Sequence, residues 1–287
     1  MKNTLLSFGH GYSARALSQV LNPADWRVIG TTRSPGKLAE LSAQGAEARL
    51  FPGDGMTDAL EQASHILISA GPDGDGDPVL AHLRDQITAR ASQFQWVGYL
   101  STTGVYGDHG GDWVDKTTPP LTPSTKRGEM RVAAENDWRA IADLPLHIFR
   151  LAGIYGPGRG PFAKVRAGTA RRIIKPGQVF SRIHVADIAQ ALLASIHQPN
   201  PGAIYNLCDD DPAPPQDVIA YAAGLLGLPI PDAIPFEQAE MTPMARSFYA
   251  ESKRVKNDRI KQELGVQLIH PEYRTGLQAL LRSAAQE

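Results

Sequence analysis

Over residues 1–150 the chain alternates short apolar runs with longer amphipathic stretches, and this alternation limits its architecture more than any other feature. Residues 4–8, 27–31, 48–51, 65–69, 96–100 and 146–150 are each short, apolar and bounded by turn residues, as buried strands are. Between them, residues 13–21, 37–43, 57–62, 79–93 and 126–141 repeat apolar side chains at helical spacing. Parallel strands need crossover connections, which helices supply, and such crossovers are right-handed. The pattern therefore predicts an α/β fold with a doubly wound parallel sheet and helices on both faces. Beyond residue 150 the alternation lapses. Residues 153–177 are rich in Gly, Pro and Arg, 185–197 and 216–226 read as helices, 203–207 as a strand, and 228–243 as a proline-punctuated loop. The division expected is a sheet domain over 1–155 and a smaller lobe over 156–287, partly interleaved with it.

The sharpest local signal is Leu6-Ser7-Phe8-Gly9-His10-Gly11-Tyr12-Ser13-Ala14, where the first strand meets the first helix. Gly9 allows a tight turn, Gly11 lets backbone approach a diphosphate, and the small Ala14 permits close helix–strand packing. The helix N-terminus adds free N–H groups and a positive dipole end. A Rossmann-type dinucleotide site follows, with Gly9, His10, Gly11, Tyr12 and Ser13 around the phosphates; an ordinary tight turn is the alternative. At the end of the second strand, Thr31-Thr32-Arg33 stands where an acidic residue would take the ribose 2′-hydroxyl of NAD. Thr32 and Arg33 instead suit the 2′-phosphate of NADP, and NAD less, since a charge-assisted hydrogen bond contributes about 1.5–3 kcal/mol. A solvated arginine in a helix's first turn is the bland alternative. Asp54 after the third strand, and Ser69-Ala70-Gly71 after the fourth, fall at the carboxyl edge where ligands bind in open α/β sheets. Asp54 is placed to accept from an adenine amino group, or else serves as a helix N-cap.

Several further segments, in order, resemble the extended short-chain dehydrogenase/reductase family, which includes NAD(P)-dependent sugar epimerases and dehydratases. They are Leu100-Ser101-Thr102-Thr103-Gly104-Val105-Tyr106-Gly107, Arg150-Leu151-Ala152-Gly153-Ile154-Tyr155-Gly156-Pro157-Gly158 and Arg182-Ile183-His184-Val185-Ala186-Asp187. Tyr205-Asn206-Leu207 and Ser252-Lys253-Arg254-Val255 complete a likeness that spans nearly the whole chain. The resemblance implies a Rossmann-type sheet with a smaller C-terminal substrate lobe, and a homodimer. It also implies chemistry by a Ser/Thr, a Tyr and a Lys four residues after that Tyr. Thr102 matches the Ser/Thr. Aligned on Ala133-Ala134-Glu135, however, Arg131 stands where the Lys belongs and Arg127 where the Tyr belongs; the register that uses Lys126 puts Thr122 in the Tyr place. Neither supplies a phenol, and an arginine offers no proton acceptor.

Arg127 and Arg131, four apart on one helix face, are spaced to clamp a carboxylate or phosphate. The alternative is a solvated face in which Glu135 pairs with Arg131. Tyr249-Ala250-Glu251-Ser252-Lys253 has the Tyr-x-x-x-Lys spacing but lies over a hundred residues too late, and is read as coincidence. Tyr106 and Tyr155 are read as structural or substrate-contact residues, and so is His184.

Composition narrows the functional classes. Lys+Arg 29 against Asp+Glu 30 gives a net charge of −1, so no general field holds nucleic acid or an anionic membrane. One cysteine excludes an intramolecular disulfide, and with no leader-like segment a cytoplasmic location is expected. Asp73-Gly74-Asp75-Gly76-Asp77 has the alternating carboxylates of a calcium loop, but Pro78 and Arg84 occupy the places of its Gly and Glu. The histidines show no metal-ligand spacing, no metal is expected, and there is no Gly-x-Ser-x-Gly elbow. The leading expectation is an NADP-dependent oxidoreductase or epimerase/dehydratase-like enzyme acting on a small polar carbonyl or sugar-nucleotide-type substrate. Its catalytic candidates are Thr102, Arg131 and Arg127. The rival is an NADP(H)-binding regulator without hydride chemistry; a purely structural subunit is the third possibility.

Overall fold

A computed structural model describes residues 2–119 and 123–284. Seven parallel strands form the central sheet: β1 (Asn3–Phe8), β2 (Trp26–Thr32), β3 (Glu47–Leu50), β4 (His65–Ile68), β5 (Trp96–Thr102), β7 (Leu146–Leu151) and β11 (Ile204–Leu207). Their order is β11-β7-β5-β4-β1-β2-β3. The direction of winding reverses between β1 and β4, which opens a crevice at the strands' carboxyl ends. The other strands pair in parallel twos: β6 (Trp113–Val114) with β13 (Arg254–Val255), β8 (Gly153–Tyr155) with β10 (Arg182–His184), and β9 (Arg172–Ile174) with β12 (Ala233–Pro235). The doubly wound sheet expected from the alternation is therefore present, and all six early strands fall where the apolar runs place them.

The apolar runs are continuous because both faces of the sheet are covered. Successive side chains on a strand point to opposite faces. Leu5, Leu67 and Trp96 pack with Ala14 and Leu17 of α1 (Tyr12–Val20) and with Ile188, Ala191 and Leu192 of α7 (Val185–His197). Leu6, Ile66 and Val97 face the other way, onto α3 (Met56–Gln62), α4 (Pro78–Ala89) and α5 (Lys126–Arg139). The short helix α2 (Leu38–Ala43) follows β2. Trp96 ties the first layer down by donating its indole N–H to Ser195 Oγ of α7 at 3.0 Å.

The C-terminal lobe has its own core of Tyr155, Phe162, Val218, Ala222, Tyr273 and Leu277. These come from β8 and from α6 (Phe162–Arg166), α8 (Pro215–Leu225) and α11 (Tyr273–Ala284). Two further short helices, α9 (Pro243–Ser247) and α10 (Asp258–Leu264), connect it. After β10, which pairs with β8, the chain returns to the central sheet through α7, packed on α1, and β11, paired with β7. Residues 228–243 are not wholly loop: β12 and a 3-10 turn (Phe236–Gln238) lie there. A three-residue edge strand tolerates Pro235 because it needs few ladder bonds. No helix among the described residues is long and apolar enough to cross a membrane.

Candidate functional site

The turn from β1 into α1 is built as the glycine spacing requires. Gly9 sits at φ +73°, and a Cβ there would fall 2.8 Å from the backbone N of Ala70, so a larger residue would be both strained and crowded. Gly11 caps α1 without a side-chain hydrogen bond, leaving the first-turn N–H groups available to a ligand. His10 differs from its neighbours. Its backbone N–H donates to Thr31 O (2.8 Å), and its ring packs against Gly30, whose Cβ would lie 2.8 Å from His10 Cγ. Burial, then Arg15, lowers its pKa to about 4. Neither its ring nor its N–H is therefore left for a cofactor's phosphates, which corrects its expected place among the phosphate contacts.

Gly9, Gly11, Tyr12 and Ser13 open onto a cleft of about 750 Å³, and Ser69 lines it from the end of β4. Thr102 enters from the end of β5, and Arg127 and Arg131 enter from α5. Eight of the thirteen residues singled out from sequence thus meet in one cavity. Thr102 Oγ1 accepts from Gly104 N–H (3.1 Å), which fixes the side chain and leaves its hydroxyl proton to donate. Arg131 Nη1 donates to Leu100 O (2.6 Å) and Tyr99 Oη (3.2 Å). Its Nη2 lies 2.9 Å from where a Cβ on Gly71 would be, so glycine at that turn makes room for the guanidinium.

The expected Glu135–Arg131 pair is absent, which corrects the solvated-face alternative. Glu135 is buried and takes Arg150 instead, Nη2 to Oε2 at 2.8 Å and Nε to Oε1 at 3.1 Å. It also accepts the Ser101 hydroxyl at 2.5 Å. Helical spacing suggested a surface pair, but Glu135 lies on the face of α5 turned to the sheet. Arg127 is exposed to the cleft and has no hydrogen-bond or ion-pair partner among the described residues. Burial, then the charges of Arg131 and Arg159, lower its pKa. Thr122, the alternative occupant of the Tyr place, lies outside the described residues.

Of the remaining candidates only Tyr155 lines the cleft. Ala70 packs on Gly9. Thr32 Oγ1 accepts from Ser34 N–H (3.2 Å) at the end of β2, and Arg33 beside it is exposed with no partner among the described residues. Asp54 lines a second cavity of about 320 Å³ with Phe51, Met56 and His82. It does not cap α3, whose N-cap is Gly55. Tyr106 is buried and donates its hydroxyl to Asn206 Oδ1 (2.8 Å). The Tyr155 hydroxyl faces Gly276 in the C-terminal lobe, and burial raises its pKa. His184 caps α7 by accepting from Ala186 N–H (3.2 Å).

One pair escaped sequence reasoning. Lys253 and Glu251 both line the cleft, and Lys253 Nζ donates to Glu251 Oε2 and to Gly107 O, each at 2.6 Å. The Tyr249–Lys253 spacing by itself reads as coincidence. Tyr249 indeed stays outside the cleft lining, its ring against Phe180 and Phe236 (centroids 5.8 and 5.3 Å). The usable signal was the family-like segment Ser252–Val255, whose end forms β13 beside β6.

No protein-family model matches the chain. It is 28% identical over 277 residues to Protein YeeZ of Escherichia coli K12, covering 92% of this chain and 95% of that one. Over 151 residues it is 30% identical to 3-diazoavenalumate denitrifying reductase of a Streptomyces species, 48% of each chain. Among solved structures, a functionally unknown conserved protein from Silicibacter pomeroyi superposes with a TM-score of 0.94 at 64% identity, covering 99% of both chains. The UDP-glucuronic acid 4-epimerase of Bacillus cereus, in complex with UDP-glucuronic acid and NAD, superposes with a TM-score of 0.75 at 15% identity over 99% of both chains. The chain therefore belongs to one family with the Silicibacter pomeroyi protein, built on the fold of the extended short-chain dehydrogenases/reductases.

Proposed function

We propose that the chain is an NADP-dependent oxidoreductase or epimerase/dehydratase-like enzyme acting on a polar carbonyl or sugar-nucleotide-type substrate. The observation that carries this reading is the single cleft in which the uncapped start of α1, Thr102 and Arg131 converge. The residues fit a dinucleotide: a Cβ at Gly9 would close the turn, the first-turn amides of α1 are free, and the charged side chains lining the cleft are five cations against one carboxylate. The reductase and NAD-containing epimerase among the similar proteins accord with that chemistry. Thr32 and Arg33 would hold a 2′-phosphate, since no carboxylate stands at the end of β2 to repel it. Asp54 would accept from the adenine amino group, and Ser69 and Ala70 would flank the dinucleotide.

When bound, the nicotinamide supplies or accepts the hydride. Arg131, anchored by Leu100 O and Tyr99, would steady the nicotinamide ribose with its remaining N–H groups. Thr102 would donate its hydroxyl proton to the substrate's carbonyl oxygen and polarise it. Arg127 would stabilise negative charge on that oxygen as a fixed cation, and the proton that completes the alcohol would come from water, where the family's phenol would transfer it. A positioned general acid/base contributes about 10²–10⁴-fold, so turnover well below that of a phenol-bearing enzyme is expected.

That same arginine favours the second reading, an NADP(H)-binding regulator. Fluorescence titration with NADPH, followed by absorbance-monitored NADPH oxidation with a panel of carbonyl compounds, decides between them. An enzyme oxidises NADPH with some members, and Thr102→Val slows it at least tenfold with little change in NADPH affinity. Tight binding without oxidation by any compound selects the regulator. Absence of binding at millimolar NADPH and NADH rejects both.

A further inference from the structure

We propose that Arg127 and Arg159 form an oxyanion subsite in the cleft, and that the substrate carries a carboxylate or phosphate held between them. The inference rests on the dinucleotide-enzyme reading and names the class of substrate for it.

Five cations (Arg127, Arg131, Arg159, Arg182 and Lys253) and one carboxylate, Glu251, line the cleft, in a chain whose net charge is −1. Three of the cations are engaged. Lys253 holds Glu251. Arg182 Nη1 donates to Phe180 O (2.8 Å) and Ala213 O (2.9 Å), and Asp209 acts on it electrostatically. Arg131 is bound to Leu100 O and Tyr99. Arg127 and Arg159 remain, and neither has a hydrogen-bond or ion-pair partner among the described residues. The Arg159 guanidinium lies over the Tyr12 ring, 5.7 Å from its centroid.

Both line the one cleft, where burial, then Arg131 and Arg159, lower the pKa of Arg127. Like charges that share a partly desolvated cleft repel unless an anion lies between them. They also come from different parts of the fold, Arg127 from the first turn of α5 and Arg159 from the loop after β8, so a shared anion would bridge the lobes. The planar fork of each guanidinium matches the paired oxygens of a carboxylate or phosphate. A dinucleotide's diphosphate is a second source of the same chemistry. It has its own seat on the amides of α1, whereas Arg127 stands on α5, one helical turn before Arg131.

The test is calorimetric titration of malonate and of inorganic phosphate into the full-length protein saturated with NADPH. Saturable binding of at least one anion is expected. Arg127→Met and Arg159→Met should each weaken it about ten- to hundredfold, the effect of losing one charge-assisted pair, while changing the NADPH Kd less than threefold. Arg84→Met, at a surface ion pair with Asp137, should change neither quantity. The proposal is overturned if neither anion binds the loaded protein, or if the Met variants bind as the parent does. It is also overturned if anion and NADPH displace one another, because the subsite would then be the cofactor's. Should NADPH itself fail to bind, the dinucleotide reading falls separately. Titration of the unloaded protein then decides: binding that depends on Arg127 keeps the anion subsite, and binding indifferent to it removes that as well.

Discussion

Arg150→Met should destabilise the fold by about 3–5 kcal/mol, because it leaves the Glu135 carboxylate buried without its cation. Both side chains of the pair are only 4% exposed, and the guanidinium engages both carboxyl oxygens, at 2.8 and 3.1 Å. In the variant Glu135 would retain only the Ser101 hydroxyl. The guanidinium also covers the Tyr106 ring at 4.8 Å, a contact that Met replaces in part. For a chain of this size, 1 kcal/mol corresponds to roughly 2–4 °C in Tm, so a fall of about 10 °C is expected. Removing both charges, as Glu135→Leu with Arg150→Met, should recover most of the loss, since a buried pair replaced by apolar groups is often near neutral. Urea unfolding followed by circular dichroism, on the parent, both single variants and the double variant, gives the coupling energy. A loss below about 1 kcal/mol in Arg150→Met, or a double variant no more stable than the singles, would refute the reasoning. The pair matters for function because Ser101 directly precedes Thr102, so Glu135 pins the edge of β5 from which Thr102 enters the cleft.

Three further outcomes are expected. Arg33→Ala should cut the preference for NADPH over NADH by about ten- to hundredfold in fluorescence titrations, with NADH affinity unchanged; an unaltered ratio would remove Arg33 from the cofactor site. Asp209 is buried, and burial raises its pKa from 3.8 to about 8 despite Arg182 and the backbone N–H of Asp211. The unfolded chain releases this proton near pH 4 and the folded chain keeps it to near pH 8, so the group lowers stability as pH rises between those values. Asp209→Asn should therefore gain stability over the parent at pH 8.5 relative to pH 4, and an equal difference at both would exclude the shift. Tyr249→Phe should leave NADPH affinity and thermal stability nearly unchanged, whereas Lys253→Met should cost about 1–3 kcal/mol by stranding Glu251; similar effects of the two in thermal melts would return them to one functional motif.

The sheet was legible because its physics is local. The apolar runs are strands of a sheet covered on both faces, and the glycines mark the tight turn that leads from β1 into α1. Gly9 against Ala70 shows how far that goes, since even this contact joins two adjacent strands. What the sequence hid depends on partners remote along the chain. Glu135 reads as a helix-surface residue until Arg150 arrives beneath α5. Lys253 reads as chance spacing until β13 pairs with β6 and brings its ammonium to Gly107 O. His10 lies inside the glycine motif, and nothing in that motif tells that Gly30 opens a slot for its ring beneath the turn. Periodicity reports which face is apolar; it does not report which polar group another segment will deliver to it.

The return of α7 and β11 to the sheet carries a practical corollary for anyone dissecting this protein. Cutting the gene after residue 155 would strip the sheet of its β11 border and uncover the surface of α1 that α7 shields. The amino-terminal fragment should be recovered as insoluble material, and complementation by the separately expressed remainder should fail unless both halves are made together.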